Sequence, residues 1–247
     1  MAHGLPQGRG LDLGCGDGLL TRIILQLVGP RELVGVDPDP AEIALAQETG
    51  IYAALHVAGG DSVPEPDDSF DWVLANSVLE HIDHIEPVLA EVGRLLRPKG
   101  EFIFTVPGPD FHACLRGPLL PGASRDVYLR HLDERVAHRR YWGPPEWQNA
   151  LTINGLRVVS AIPYYSVAEV RRWESMARVT AGVLYTLSGR RYQPIEIQRR
   201  LGMRKPGRRL PMPMARFLAG PVSIGLNGAP AEPQTKFGCY LIKAVKD

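Results

Sequence analysis

A doubly wound α/β domain is predicted by three features of the chain. A short apolar run, Gly10–Leu13, enters three glycines spaced by single residues (Gly14, Gly16, Gly18), and an apolar, helix-capable segment leaves them. A second apolar run, Leu33–Asp37, follows about twenty residues on and ends in an acid. Strand-like and helical stretches then keep alternating as far as Pro107, the pattern of a largely parallel sheet covered on both faces. The 247 residues, 45% hydrophobic and 22% charged, suffice for one full core of this kind.

Taken in order, residues 1–8 are too short for a helix, so the first strand begins near Arg9 and any cover for a site must come from elsewhere. A helix is predicted over about 18–28, then the strand to Asp37. Pro38-Asp39-Pro40 suits the start of a new helix running to Glu48. A third strand, Ala54–Val57, ends in Gly59-Gly60-Asp61-Ser62, and a fourth starts within Phe70–Asn76. Residues 85–96 carry apolar side chains at helical spacing. Arg97-Pro98-Lys99-Gly100 should stop that helix before a strand over Glu101–Val106. A later helix ending at Asn154-Gly155 leads to a sixth strand, Leu156–Ile162, and Phe237–Val245 is the last.

The glycine turn separates two nucleotide-binding grammars. A dinucleotide fingerprint places glycines first, third and sixth. Here they stand first, third and fifth, preceded by Asp12. Asp12-Leu-Gly-Cys-Gly-Asp-Gly resembles the D-x-G-x-G-x-G turn of class I S-adenosylmethionine-dependent methyltransferases. Phe70-Asp71-Trp72-Val73, then Ser77–Ile82, and Leu95–Phe102 (LLRPKGEF) are similar to the small-molecule, type 11-like branch of that superfamily. The resemblance implies a Rossmann-like seven-stranded sheet with S-adenosyl-L-methionine as cofactor. It places Asp12, Gly14, Cys15 and Gly16 around the methionine end, Asp37 and Pro38 at the ribose, Asp61 and Ser62 near adenine, and Asn76 and Ser77 beside the methionine portion.

In ubiquinone-type relatives of this branch, a Glu-His pair with a further acid upstream can hold a divalent metal. Glu80 and His81 match the pair, but Asn76 and Ser77 stand where the acid would help, so no metal is expected. Imidazole titrates where a general base is useful. His112, just after the fifth strand, and His138, in the Asp133…His138…Tyr141 segment, are therefore the candidate catalytic residues, ahead of His81.

About 70 residues separate the sixth and seventh strands, too many for an unstructured loop. The predicted division is thus a cofactor-binding domain (1–165 plus 236–247) carrying an inserted helical basic cap (166–235). Helical spacing runs from Val167 through Leu187, with Trp173, Met176, Val183, Leu184 and Leu187 on the buried face. Arg171, Arg172 and Arg178 are then available to an anionic group, and a second helix is expected near 194–202. Twelve basic residues against three acidic ones lie within 166–231, a surplus of nine, in a chain whose net charge is +1. So segregated a surplus favours an anionic partner: a phosphate-bearing or lipid-like small molecule, with possible contact to a membrane surface. Nucleic acid is the less favoured partner, because basic residues alone bind it without specificity.

The function expected is methyl transfer to such an acceptor. RNA modification, or a non-catalytic binding protein that kept the fold, are the competing classes. Against the last, Asp12, Gly14, Gly16 and Asp37 are all intact. Three cysteines without metal spacing, and no apolar run of about 20 residues, point to a reducing, cytoplasmic setting.

Overall fold

A computed structural model describes residues 5–119, 121–178, 197, 200 and 235–247. Among these, seven strands form one mixed sheet in the order β3-β2-β1-β4-β5-β7-β6. The strands are β1 (Arg9–Leu13), β2 (Glu32–Asp37), β3 (Ala54–Val57), β4 (Phe70–Asn76), β5 (Leu96–Pro107), β6 (Leu156–Ser166) and β7 (Phe237–Lys246). β1 to β5 pair in parallel, and β7 lies antiparallel to β5. The helices are α1 (Leu19–Val28), α2 (Pro40–Gln47), α3 (Glu86–Leu95), α4 (Phe111–Cys114), α5 (Arg125–Val136), α6 (Pro144–Thr152) and α7 (Val167–Ala177).

The central strands read as near-continuous apolar runs because both faces are covered. On one face Leu11, Leu13, Val34, Val36, Val73 and Ala75 meet Val88, Leu89 and Val92 of α3 and Trp147 and Leu151 of α6. On the other, Leu33, Trp72 and Leu74 pack with Ile24 and Leu25 of α1. Only part of α1's apolar content is used this way: Leu19, Leu20, Ile23 and Leu27 are exposed.

Two boundaries differ from expectation. The helix α3 does end at Leu95, but β5 begins directly at Leu96 and not at Glu101. Lys99 takes a left-handed conformation (φ 66°) inside that strand, so Arg97–Gly100 bend it without ending it. β6 continues four residues past Ile162, to Ser166.

The described chain divides into two compact units: 1–109 with 138–164 and 239–247, and 110–137 with 165–238. The second unit thus takes in 110–137 as well as the predicted insert. Its helix α7 opens on a capping box, with the Ser166 hydroxyl accepting from the Glu169 N–H and the Glu169 carboxylate accepting from the Ser166 N–H. The buried positions of α7 are Val170 and, unexpectedly, the carboxylate Glu174, whereas Trp173 is half-buried and packs edge-on against Phe111. Val183, Leu184, Leu187 and most of the helix expected at 194–202 lie outside the described residues, although Ile197 and Arg200 are helical.

Glu174 is fully buried and accepts from the N–H groups of Arg116 (2.8 Å) and Gly117 (3.2 Å), the Tyr128 hydroxyl (2.5 Å) and the Arg178 guanidinium (2.7 Å). These donors hold its carboxyl below the usual glutamate range against the opposing effect of burial. Arg178 is therefore committed inside the unit, which corrects the expectation that it stays available to a ligand. Replacing Glu174 with Ala should destabilise this unit by about 3–5 kcal/mol, because a partly buried guanidinium, a hydroxyl and two amides lose their acceptor. Faster amide exchange in α5 and α7 would show it, and unchanged protection would contradict the role.

Candidate active site

Four parallel strands end on the same edge of the sheet, and each delivers part of one constellation. The glycine turn follows β1, Asp37 closes β2, residues 58–62 follow β3, and Asn76-Ser77 close β4. This edge flanks the point between β1 and β4 where the strand order reverses, the place where open α/β sheets bind ligands.

The turn is fastened from below. Gly14 and Cys15 both donate to the Val36 carbonyl, at 2.8 and 3.0 Å. Gly14, Gly16 and Gly18 all have positive φ, but their surroundings differ. A Cβ on Gly14 would strike Val78 at 2.6 Å, and one on Gly18 would strike the Tyr52 ring at 2.8 Å. Those two glycines serve close packing. Only Gly16 faces open space, the nearest atom to its virtual Cβ being a Glu42 oxygen at 3.9 Å, so it is the point where a ligand can approach bare backbone.

Asp37 joins the parts. Its Oδ2 accepts from the Gly16 N–H (3.0 Å) and its Oδ1 from the Asp39 N–H (2.9 Å), across Pro38. Burial raises its pKa, and the two amide bonds oppose the rise. Asp12 lies beneath the turn, almost wholly buried, and accepts from the Tyr52 hydroxyl at 2.6 Å. Desolvation pushes its carboxyl up to about 6. The Cys15 thiol is also buried and pushed up, chiefly by desolvation and then by Asp12 and Asp37. Asp61 and Ser62 are exposed on the turn after β3, where the Ser62 N–H donates to the Gly59 carbonyl. Asn76 and Ser77 are anchored by Thr105 of β5. Its hydroxyl donates to Asn76 Oδ1 (2.8 Å) and accepts from the Ser77 N–H (3.1 Å), holding Ser77 at φ 53°. All the cofactor residues predicted from the sequence thus fall on one edge.

The histidines separate. His112 belongs to the second unit, where its Nε2 pairs with Asp133 at 2.9 Å. His138 belongs to the first unit, with Nδ1 bonded to the Tyr141 hydroxyl at 3.1 Å and its ring 5.3 Å from that of His81. Beside them is Glu80, in the short 3-10 turn Leu79–His81 that follows β4. Its side chain is 2% exposed, one carboxylate oxygen is 4.0 Å from His81 Nε2, and the other has no hydrogen-bond partner among the described residues. Burial pushes Glu80 up to about 7. Arg140 reaches the backbone carbonyls of Leu79 and Asp83, which fixes this turn from outside. Among the described residues, Glu80, His81 and His138 form a group whose ligand-type atoms lie within 4.8 Å of one another. Only the adjacent pair Glu80-His81 was visible in the sequence. His138 joins it because the chain returns to this unit after α5.

Asp12 and Glu80 make the stability of this unit depend on pH in one direction. Both folded pKa values lie above the unfolded ones, so the protonated forms are favoured on folding. The contribution of these two groups should be fully present below about pH 4 and lost as pH rises through about 6 and 7. Asp12→Asn, which keeps an acceptor for Tyr52, should remove about 3 kcal/mol of that loss. Denaturant titrations between pH 4 and 8 would measure it, and an identical pH slope in the variant would contradict the burial argument.

Residues 11–104 match the model of a family described as "Methyltransferase domain". The ubiquinone biosynthesis O-methyltransferase of Azorhizobium caulinodans is 33% identical over 97 residues, 38% of each chain. The malonyl-[acyl-carrier protein] O-methyltransferase of Halorhodospira halophila is 33% identical over 117 residues, 44% of this chain and 38% of that one. The chain thus spans well under half the length of these curated relatives. Among solved structures, geranyl diphosphate methyltransferase in complex with GPP and sinefungin superposes with a TM-score of 0.57 at 15% identity, over 98% of this chain and 73% of that one. At that identity the likeness concerns the fold.

Proposed function

We propose that this protein, whose residues 11–104 match the methyltransferase domain model, transfers a methyl group from S-adenosyl-L-methionine to a small-molecule or lipid-like anionic acceptor. The observation that carries the proposal is the constellation at the four strand ends, with Asp37 bonded to the one glycine of the turn that faces open space.

The electrostatics of that edge suit the cofactor. Glu42 and Asp39 raise the Asp37 pKa, and Asp37 raises that of Asp12, so negative charge is concentrated around the turn. A cationic sulfonium and ammonium are favoured there, and a dinucleotide's pyrophosphate is repelled. In this reading Asp37 accepts from the ribose hydroxyls. The bare backbone at Gly16 admits the methionine portion, Asn76 and Ser77 flank it, and Asp61 accepts from the adenine amino group.

S-Adenosylmethionine supplies an electrophilic methyl on a good leaving group, so positioning provides much of the rate. Where the acceptor is an oxygen acid, the imidazole of His138 takes its proton, with Tyr141 orienting the ring and Glu80 stabilising the imidazolium. His112, tied to Asp133, is the second candidate. The basic surplus in 166–231 supports an anionic acceptor, as does the name of one relative, a malonyl-[acyl-carrier protein] O-methyltransferase.

Calorimetry with S-adenosylmethionine should show binding that Asp37→Ala weakens by about 1.5–3 kcal/mol, the loss of a charged acceptor for two hydroxyls. Equal affinity in the variant, or tighter binding of NAD, would overturn the cofactor reading. Radiolabelled methyl transfer should favour carboxylate- or phosphate-bearing isoprenoid and acyl compounds over neutral analogues. A preference for neutral compounds, or for RNA, would overturn the acceptor reading. His138→Ala should lower turnover on an oxygen acceptor by about 10²-fold or more and flatten the acid limb of the pH–rate profile, where a general base is lost to protonation.

A further inference from the structure

The turn after β3 must hold Asp61 and Ser62 in place although residues 58–69 contain no helix or strand. What holds this segment comes from α3, far along the sequence and on a different side of the strand order. Arg94 spends its whole guanidinium there. Its Nη2 donates to the Val63 carbonyl (3.1 Å), and its Nη1 donates to the Glu65 carbonyl (2.9 Å) and to Asp67 (2.6 Å). One helical turn earlier, Glu91 accepts from Arg94 Nε (2.8 Å) and Nη2 (2.7 Å), and also from the Val63 backbone N–H (2.8 Å). Both backbone polar groups of Val63 are thereby fixed by one ion pair. The backbone of α3's last turn adds two more bonds, from the Asp68 N–H to the Arg94 carbonyl and from the Ser69 N–H to the Leu95 carbonyl. On its other side, Glu65 is held by Arg9 of β1 (3.1 Å) and His56 of β3 (2.9 Å).

The planar fork of Arg94 is what allows this. A lysine would present one point charge, unable to span two carbonyls and two carboxylates with fixed angles. Glu91 is held below the usual glutamate range, first by Arg94, so the pair stays ionised at neutral pH. Val63 immediately follows Asp61-Ser62, and its side chain is buried in the core beside α3. A shift of Val63's backbone therefore moves the two residues before it.

We propose that Arg94 and Glu91 are positioning residues for the nucleoside end of the cofactor site, setting the segment 61–67 so that Asp61 meets the amino edge of the adenine ring. This rests on the cofactor reading above and assigns it a source of base selectivity outside the strand ends.

The test compares two ligands by calorimetry on the full chain: S-adenosylhomocysteine and S-inosylhomocysteine, which carries an oxygen in place of the adenine amino group. The wild type should prefer the adenosyl ligand by about tenfold or more. Arg94→Met should reduce affinity for the adenosyl ligand by about tenfold and for the inosyl ligand by less than about threefold, so that the preference collapses. Asp61→Asn should add little to Arg94→Met. Glu91→Gln, which keeps an acceptor for the Val63 N–H, is the milder variant and should give an intermediate preference even if Arg94→Met unfolds. A brace with no part in selectivity would lower the melting temperature and leave the preference intact, and that result would overturn the proposal. An equal effect of both variants on both ligands would overturn it too. If the wild type bound neither ligand, the cofactor reading itself would fail, and this inference with it.

Discussion

The carboxylate of Asp37 ties together the parts of the site that no single strand supplies. It ends β2, reaches across to the Gly16 N–H, and reaches forward to the Asp39 N–H. The glycine turn, whose Gly14 and Cys15 already hang on the Val36 carbonyl, is thus referenced entirely to β2. That dependence explains why the turn can be rich in glycine without being loose: the N–H groups of Gly14, Cys15 and Gly16 are engaged by the neighbouring strand, and that of Gly18 by the Cys15 carbonyl. It also concentrates negative charge at the sheet edge. Such an edge costs stability, and a bound cationic ligand would offset it.

A second constraint is the crowding of carboxylates that are not paired in the ordinary way. Asp12 relies on the Tyr52 hydroxyl, and Glu80 has an oxygen with no partner among the described residues. Both are pushed toward protonation near neutral pH by burial. Their ionisation works against folding at neutral pH. Groups held in such unfavourable states cluster at functional sites more often than elsewhere. Glu174, in the second unit, shows the contrasting solution: a fully buried carboxylate with four donors and a lowered pKa, which serves structure.

Much of this was legible in the sequence, and the limits have physical causes. The strand–turn–helix at Gly14–Gly18 and the acid at Asp37 are local patterns, and the structure places them as expected. The glycines' separate roles were not local. Gly18 yields to Tyr52 and Gly14 to Val78, partners dozens of residues away, so spacing alone could not separate Gly14 from Gly16. Arg97–Gly100 does follow the end of α3, but its Pro and Gly hid that the segment is already strand, since an extended strand with one left-handed residue accommodates both. On α7, helical spacing of apolar residues located the helix but misjudged its buried face, because a carboxylate satisfied by four donors counts as polar in any sequence pattern. The joining of His138 to Glu80 and His81, and the grip of Arg94 on residues 63–67, depend on tertiary return of the chain and leave no periodic trace.

The central claim is that one ligand spans four strand ends in a fixed order. A crystal structure of the chain grown with S-adenosylhomocysteine tests it most directly. Density should place the adenine beside Asp61–Val63, the ribose hydroxyls within hydrogen-bond distance of Asp37, and the homocysteine against Gly16 and Asn76. Density for the ligand anywhere else, or with its ribose away from Asp37, would contradict the account.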